Sequence, residues 1–260
     1  MRPPAELPIL FESAHEWVVI KPAGMPTELT SDPRGVSLIE RIRRSGHPDA
    51  RLPHRLDRMT RGLVVIALTA ESIAFHNEQI RAGAWAKWYF ARVLAERDPS
   101  ELLGSHRAYL RTMGDRALVV RAGGKPALLD VLGHTPAPGR TGQAHLAIRL
   151  HTGRFHQIRA MLAHQGFPIA GDTKYAGEMR SVSNPKYGGE TRSRDVRYGG
   201  ERAPGDAPYL EHAALRLRPY GETTARVFFK ENDPERERID PSLLQLLSRH
   251  IAAIHDEESA

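Results

Sequence analysis

The chain has 260 residues, is 40% hydrophobic and 26% charged, and carries a net charge of +6. That length can bury a substantial core, and the composition is that of a folded globular protein rather than a disordered one. The chain has no cysteine, which excludes disulfides, thiolate metal sites and cysteine nucleophiles; its positive charge suits a polyanion such as nucleic acid, and equally a basic protein with no such partner.

The opening Met1-Arg2-Pro3-Pro4-Ala5-Glu6 lacks the apolar stretch of a secretory signal. No apolar run approaches the ~20 residues of a membrane helix. The expectation is a soluble, cytoplasmic monomer. The first element is the β-branched run Trp17-Val18-Val19-Ile20, which stops at Lys21-Pro22-Ala23-Gly24-Met25-Pro26, a loop fixed by two prolines and a glycine. A helix follows over Val36 to Arg44, stopping near Gly46. Gly62 to Leu68 is almost wholly apolar and reads as a strand covered on both faces. Thr69 can cap the next helix and Gly83 can end it.

Lys87 to Leu94 reads as a strand in which Tyr89, Ala91 and Val93 alternate with Trp88, Phe90 and Arg92. Further strands are expected at Ala117–Arg121, His145–Leu150, Leu215–Arg218 and Ala225–Phe229, and a closing helix at Pro241–Ile254 with Asp240 as its cap. Strands outnumber helices without regular alternation. The expected class is therefore α+β, a mixed and mainly antiparallel sheet with flanking helices. Residues 176–208 break the pattern. They are almost free of aliphatic side chains, and Lys174-Tyr175-Ala176-Gly177-Glu178 recurs in altered form from Lys186 and from Arg197. The segment reads as an expanded surface loop rich in cations and tyrosines.

Two segments carry chemistry. In His54-Arg55-Leu56-Asp57-Arg58-Met59-Thr60-Arg61-Gly62-Leu63 a polar loop with one carboxylate runs into a buried strand. A rigid strand can hold such a residue in place, and flanking arginines favour the ionised, nucleophilic form. An ordinary surface ion pair has the same spacing. In Gly153-Arg154-Phe155-His156-Gln157-Ile158-Arg159-Ala160-Met161-Leu162 a turn enters a helix ending at Gly166. Its apolar face carries Ile158, Met161 and Leu162; the opposite face carries His156, Arg159, Ala160 and Ala163. A solvent-facing polar side would look the same. His151, His156 and His164 lack the spacing and the carboxylate of a zinc helix, so no metal is expected. Gly123-Gly124-Lys125-Pro126 is not a phosphate-binding P-loop, and no cofactor is expected.

Together these residues resemble the RluA-like pseudouridine synthases. His54-Arg55-Leu56-Asp57 with Thr60 and Gly62-Leu63 is similar to their H-R-L-D-x-x-T-S-G-L signature, and Lys21-Pro22-Ala23-Gly24 to their opening K-P-x-G loop. Lys87-Trp88-Tyr89 resembles the strand bearing their active-site tyrosine, Gly153 to Arg159 their G-R-T-H-Q-I-R, and Pro168-Ile169-Ala170-Gly171-Asp172 with Tyr175 their P-I-x-G-D-x-x-Y. The resemblance covers about residues 9–230 and implies a single catalytic domain with a mixed sheet around a central RNA-binding cleft, and no small N-terminal RNA-binding domain. It implies Asp57 as catalytic carboxylate, Tyr89 as the ring packed on the target base and Arg159 as the cation paired with Asp57. Arg55, with His54, would lie at the RNA and help displace the target nucleotide; Arg154 and His156 would lie near the substrate backbone.

Three departures stand out: Arg61 replaces a serine, Phe155 a threonine or serine, and Glu211-His212-Ala213-Ala214-Leu215-Arg216-Leu217 stands in the region where L-H-A-x-x-L is usual, with neither a register nor a pocket-lining apolar residue assigned. The implied reaction is isomerisation of uridine in structured RNA, ribosomal or transfer, without a cofactor. A catalytically inactive RNA-binding protein on the same fold is the alternative. A glycoside or nucleoside hydrolase would need a second carboxylate that no motif supplies.

Overall fold

The computed structural model describes residues 7–30, 35–175 and 207–257. The expected loop at 176–208 lies almost wholly outside the described residues. Ten strands form one sheet: β1 (Ile9–Glu12), β2 (Glu16–Lys21), β3 (Arg61–Ala67), β4 (Ala86–Leu94), β5 (Gly104–Met113), β6 (Arg116–Val120), β7 (Lys125–Pro136), β8 (Gln143–Leu150), β9 (Leu210–Leu217) and β10 (Arg226–Phe229). The order is β1-β2-β3-β9-β4-β8-β7-β5-β6, with β10 also on β9. Every ladder is antiparallel except β3–β9. The expected mixed, mainly antiparallel α+β class is what forms.

The helices are α1 (Leu38–Arg44), α2 (Ala70–Arg81), α3 (Gln157–His164) and α4 (Pro241–Glu257). Alternation along β4 assigns them to opposite faces of the sheet. Tyr89, Ala91 and Val93 join a core with Ile158, Met161 and Leu162 of α3. Trp88 and Phe90 join another with Leu243, Leu247 and Ile251 of α4. Thr69 begins α2 through a reciprocal capping box with Ser72, which satisfies two otherwise orphaned backbone donors. Asp240 caps α4, its carboxylate accepting from the Ser242 N–H at 2.9 Å. Among the described residues, no helix is long and apolar enough to cross a membrane.

Three strands were not expected from the sequence: β1, β5 and β7. In addition β9 begins at Leu210, five residues before the expected Leu215. This longer β9 sits between β3 and β4 at the centre of the sheet. Its parallel contact with β3 brings backbones so close that a Cβ on Gly62 would lie 2.3 Å from the His212 carbonyl oxygen. A bulge between Trp88 and Tyr89 leaves Ala213 unmatched, setting Tyr89 opposite His212. Bulges re-aim side chains, and this one lies at the cleft.

Beneath β3, β4 and β9 runs the segment 231–240. Arg61 meets Glu211 at 3.1 Å and Asp233 at 2.7 Å, and Arg236 meets Glu211 at 3.0 Å. Arg92 reaches Glu237 at 2.5 Å, and His145 reaches the same carboxylate at 3.1 Å. Two of the departures from the family pattern, Arg61 and Glu211, are thus partners in one buried pair.

Candidate active site

The turn 54–60 is clamped from several sides. Thr27 Oγ1 donates to the Leu56 carbonyl at 2.6 Å and accepts from the Leu56 N–H at 3.2 Å. The Gly24 N–H donates to the Arg58 carbonyl at 2.7 Å. Lys21 is buried, and its ammonium donates to the carbonyls of Pro22 (2.9 Å), Met25 (2.8 Å) and Arg58 (3.4 Å). Burial pulls its pKa down to about 7 against the pull of Asp57. The K-P-x-G loop therefore braces the turn that presents Asp57. At the other end, His54 Nε2 accepts the Val65 N–H at 3.0 Å. Burial first, then His212 and Lys87, hold His54 neutral.

Asp57, with its side chain 21% exposed, faces α3. Arg159 Nη1 donates to Asp57 Oδ2 at 3.2 Å, while its Nε and Nη2 grip both oxygens of Asp172 at 2.7 and 2.9 Å. This fork fixes the guanidinium before it reaches Asp57. Burial opposes the charge on Arg159, but Asp172 and then Asp57 outweigh it and raise its pKa. His156, in left-handed conformation at φ 51°, directly precedes α3. Its Nε2 lies 3.6 Å from Asp57 Oδ2 and its Nδ1 3.0 Å from the Tyr175 hydroxyl, which accepts the Ala117 N–H at 2.8 Å. Burial lowers the pKa of His156 to about 4, Asp57 opposing and Arg159 assisting, so the ring is neutral at pH 7. The Gln157 side chain holds the turn before α3, accepting from Thr152 Oγ1 at 2.8 Å and from the Arg154 N–H at 3.0 Å.

A cleft of about 520 Å³ contains Asp57, Tyr89, Arg159, His54, Arg55, Arg154 and His156, so every residue singled out from the sequence borders one space. Tyr89 forms its wall, stacked on His212 with ring centroids 4.7 Å apart and planes at 16°. His212 Nδ1 donates to the Leu63 carbonyl at 2.7 Å. Burial is the main reason its pKa falls to about 3. Burial, then the charge of Asp57, raises the pKa of Tyr89, which keeps its phenol protonated. Lys87 also lines the cleft, its ammonium 5.5 Å from the Trp85 ring centroid, and burial lowers its pKa to about 8.

Arg55 is exposed at the mouth and paired with Glu28 at 2.6 Å. Arg154 is exposed too, its Nε donating to the Pro126 carbonyl at 2.9 Å. His54 and His156 differ from both arginines: each is neutral and tied to protein groups, so neither brings a positive charge to a phosphate. Asp172, Lys21 and His212 were not singled out from the sequence. Their motifs were visible, but only the fold shows that Asp172 holds Arg159, that Lys21 holds the Asp57 turn, and that His212 backs Tyr89.

The cleft thus brings together one carboxylate at a braced turn, a locked arginine beside it and a buried tyrosine. The comparisons with known proteins agree with the motifs. A family model described as RNA pseudouridylate synthase matches residues 15–164. The dual-specificity RNA pseudouridine synthase RluA of Salmonella typhi is 32% identical over 210 residues, covering 72% of this chain and 92% of that one. The ribosomal large subunit pseudouridine synthase D of Pseudomonas aeruginosa is 28% identical over 180 residues, 67% of this chain and 55% of that one. The fold matches that of human RNA pseudouridylate synthase domain containing 1, with a TM-score of 0.67 at 22% identity over 98% of this chain and 97% of that one. The chain belongs to the RNA pseudouridylate synthase family, as an isomerase of the RluA-like kind that converts uridine in RNA to pseudouridine.

Proposed function

We propose that Asp57 is the catalytic carboxylate of this isomerase, with Tyr89 and Arg159 completing the centre and structured RNA, ribosomal or transfer, as substrate. The observation that carries the reading is the chain of contacts Asp172–Arg159–Asp57, which places one carboxylate beside a preset cation at the cleft. The reaction breaks the bond from the ribose C1′ to uracil N1, turns the base and joins C1′ to C5. The C5 proton is lost and N1 gains one, so product and substrate are isomers. Asp57 serves as nucleophile or charge stabiliser at the sugar. The neutral Tyr89 ring offers a flat surface to the base, and the walls limit water while the glycosidic bond is open.

The base must first leave its stack, at a cost of a few kcal/mol. Arg55 stands at the mouth to occupy the space left behind. Its exposed pair with Glu28 is worth little and yields readily to RNA. The name of one relative, a ribosomal large-subunit enzyme, supports a ribosomal target, and that of the other, a dual-specificity enzyme, leaves a second RNA open. Asp57→Asn keeps shape but removes charge, while phosphate contacts lie elsewhere. We expect it to abolish isomerisation with RNA affinity nearly unchanged. Total RNA from cells lacking the gene, treated with either protein and mapped by carbodiimide, measures the first; turnover within tenfold of wild type overturns the assignment.

A further inference from the structure

Beside the catalytic cleft lies a second groove of about 430 Å³, lined by Arg111 of β5, Lys125 of β7 and residues of the turn before α3. Arg55, Gly153, Arg154 and Phe155 border both spaces, so the two are continuous. The groove wall holds Arg55, Arg111, Lys125 and Arg154 and no carboxylate among its lining residues. All four cations are exposed. Among the described residues the Arg111 and Arg154 guanidinium groups meet only backbone carbonyls, Ala122 at 3.1 Å and Pro126 at 2.9 Å, and the Lys125 ammonium meets no carboxylate. These bonds fix each guanidinium without neutralising it.

The hairpin geometry also favours an open, charged floor. Gly123 has φ +71°, and a Cβ there would lie 2.6 Å from Arg111 Nη2. A glycine at this turn lets the arginine lie flat across it. Phe155, half-buried and stacked on His156 at 3.8 Å, stands where groove meets cleft and brings an aromatic ring to the junction. Cations in a row, of which only Arg55 meets a carboxylate (Glu28) among the described residues, joined by an aromatic ring to a base-accepting pocket, match a polynucleotide strand better than a small anion.

We propose that this groove carries the RNA strand on one side of the target nucleotide, with its phosphates on Arg111, Lys125 and Arg154. The inference rests on the assignment of the cleft as the isomerisation site and gives the strand a path out of it. Arg111→Ala/Lys125→Ala removes two phosphate contacts from exposed strand positions. The charge-matched control, Arg44→Ala/Arg226→Ala, removes two arginines outside the groove, each paired with a carboxylate.

Binding of a fluorescein-labelled, uridine-rich 20-nucleotide RNA is measured across a salt series for the full chain and both variants. Each single-strand phosphate contact contributes about 0.7 to the slope of log K against log salt, so the groove variant should lose about 1.4. Its Kd at low salt should rise about tenfold, with the melting transition unchanged and the control indistinguishable from wild type. A slope and Kd equal to those of the control overturn the proposal. Carbodiimide mapping of wild-type activity runs in parallel: no pseudouridine there would remove the catalytic reading, while the salt slopes would still decide whether the groove binds RNA.

Discussion

At the scale of single residues, the proposed centre depends on division of labour within Arg159. Two of its nitrogens are spent on Asp172 and the third faces Asp57. A lysine has one nitrogen and no planar fork, and cannot grip Asp172 and orient on Asp57 together. Arg159→Lys should therefore lower kcat at least a hundredfold even though charge is kept. Arg159→Ala should also destabilise the fold by about 3–5 kcal/mol, because Asp172 is left buried without its partner. Normal turnover by the lysine variant, with an unchanged urea midpoint, would show that the fork is dispensable. Much of this centre was legible in the sequence: a lone carboxylate in a polar loop entering an apolar strand, and an arginine on a helix face lined with alanines. The partners were not. Asp172 lies 13 positions beyond Arg159 and His212 lies 149 beyond Leu63, and no local pattern encodes such meetings. The pair of Arg61 with Glu211 shows the same limit: two separate departures in sequence are one contact in space.

At the scale of elements, the strands that sequence reasoning found are the ones with plain apolar runs. β5 escaped because it is largely solvent-exposed, and only Leu110 of its ten residues is buried. β7 escaped because Pro126 and Gly133 interrupt an otherwise alternating run of Ala127, Leu129 and Val131. The start of β9 escaped because Glu211 and His212 look like loop residues until their buried partners are known. Gly62 makes the β3–β9 junction possible. It takes φ +118°, and any Cβ there would overlap the His212 backbone. Gly62→Ala should thus be among the most damaging substitutions outside the active centre, combining backbone strain with a clash that no flexible side chain can relieve. We expect a loss of several kcal/mol or no soluble protein, read by expression and thermal melting. Wild-type melting would show that the two strands can separate without penalty.

At the scale of the whole molecule, buried neutral histidines set the acid limit. His54, His156 and His212 all have pKa values below the ordinary histidine value, His156 at about 4 and His212 at about 3, with burial the leading cause each time. In the unfolded chain these groups take up protons near pH 6.5. Between that pH and about 4 the unfolded state therefore binds more protons than the native state, and stability must fall as pH falls. Urea midpoints at pH 7.5, 6, 5 and 4.5 should decline steadily, and a flat profile from 7 to 5 would contradict neutral burial. The segment 231–240 bears on a different matter, the order of events while the chain is being made. Arg92, 1% exposed on its side chain, reaches Glu237, and Arg61, already on Glu211, gains Asp233 from the same segment. Until residue 237 has been made, the buried guanidinium groups of Arg61 and Arg92 lack the carboxylates that this segment brings, which disfavours early closure of the sheet. A nascent chain stalled before residue 233 should therefore still be open to protease.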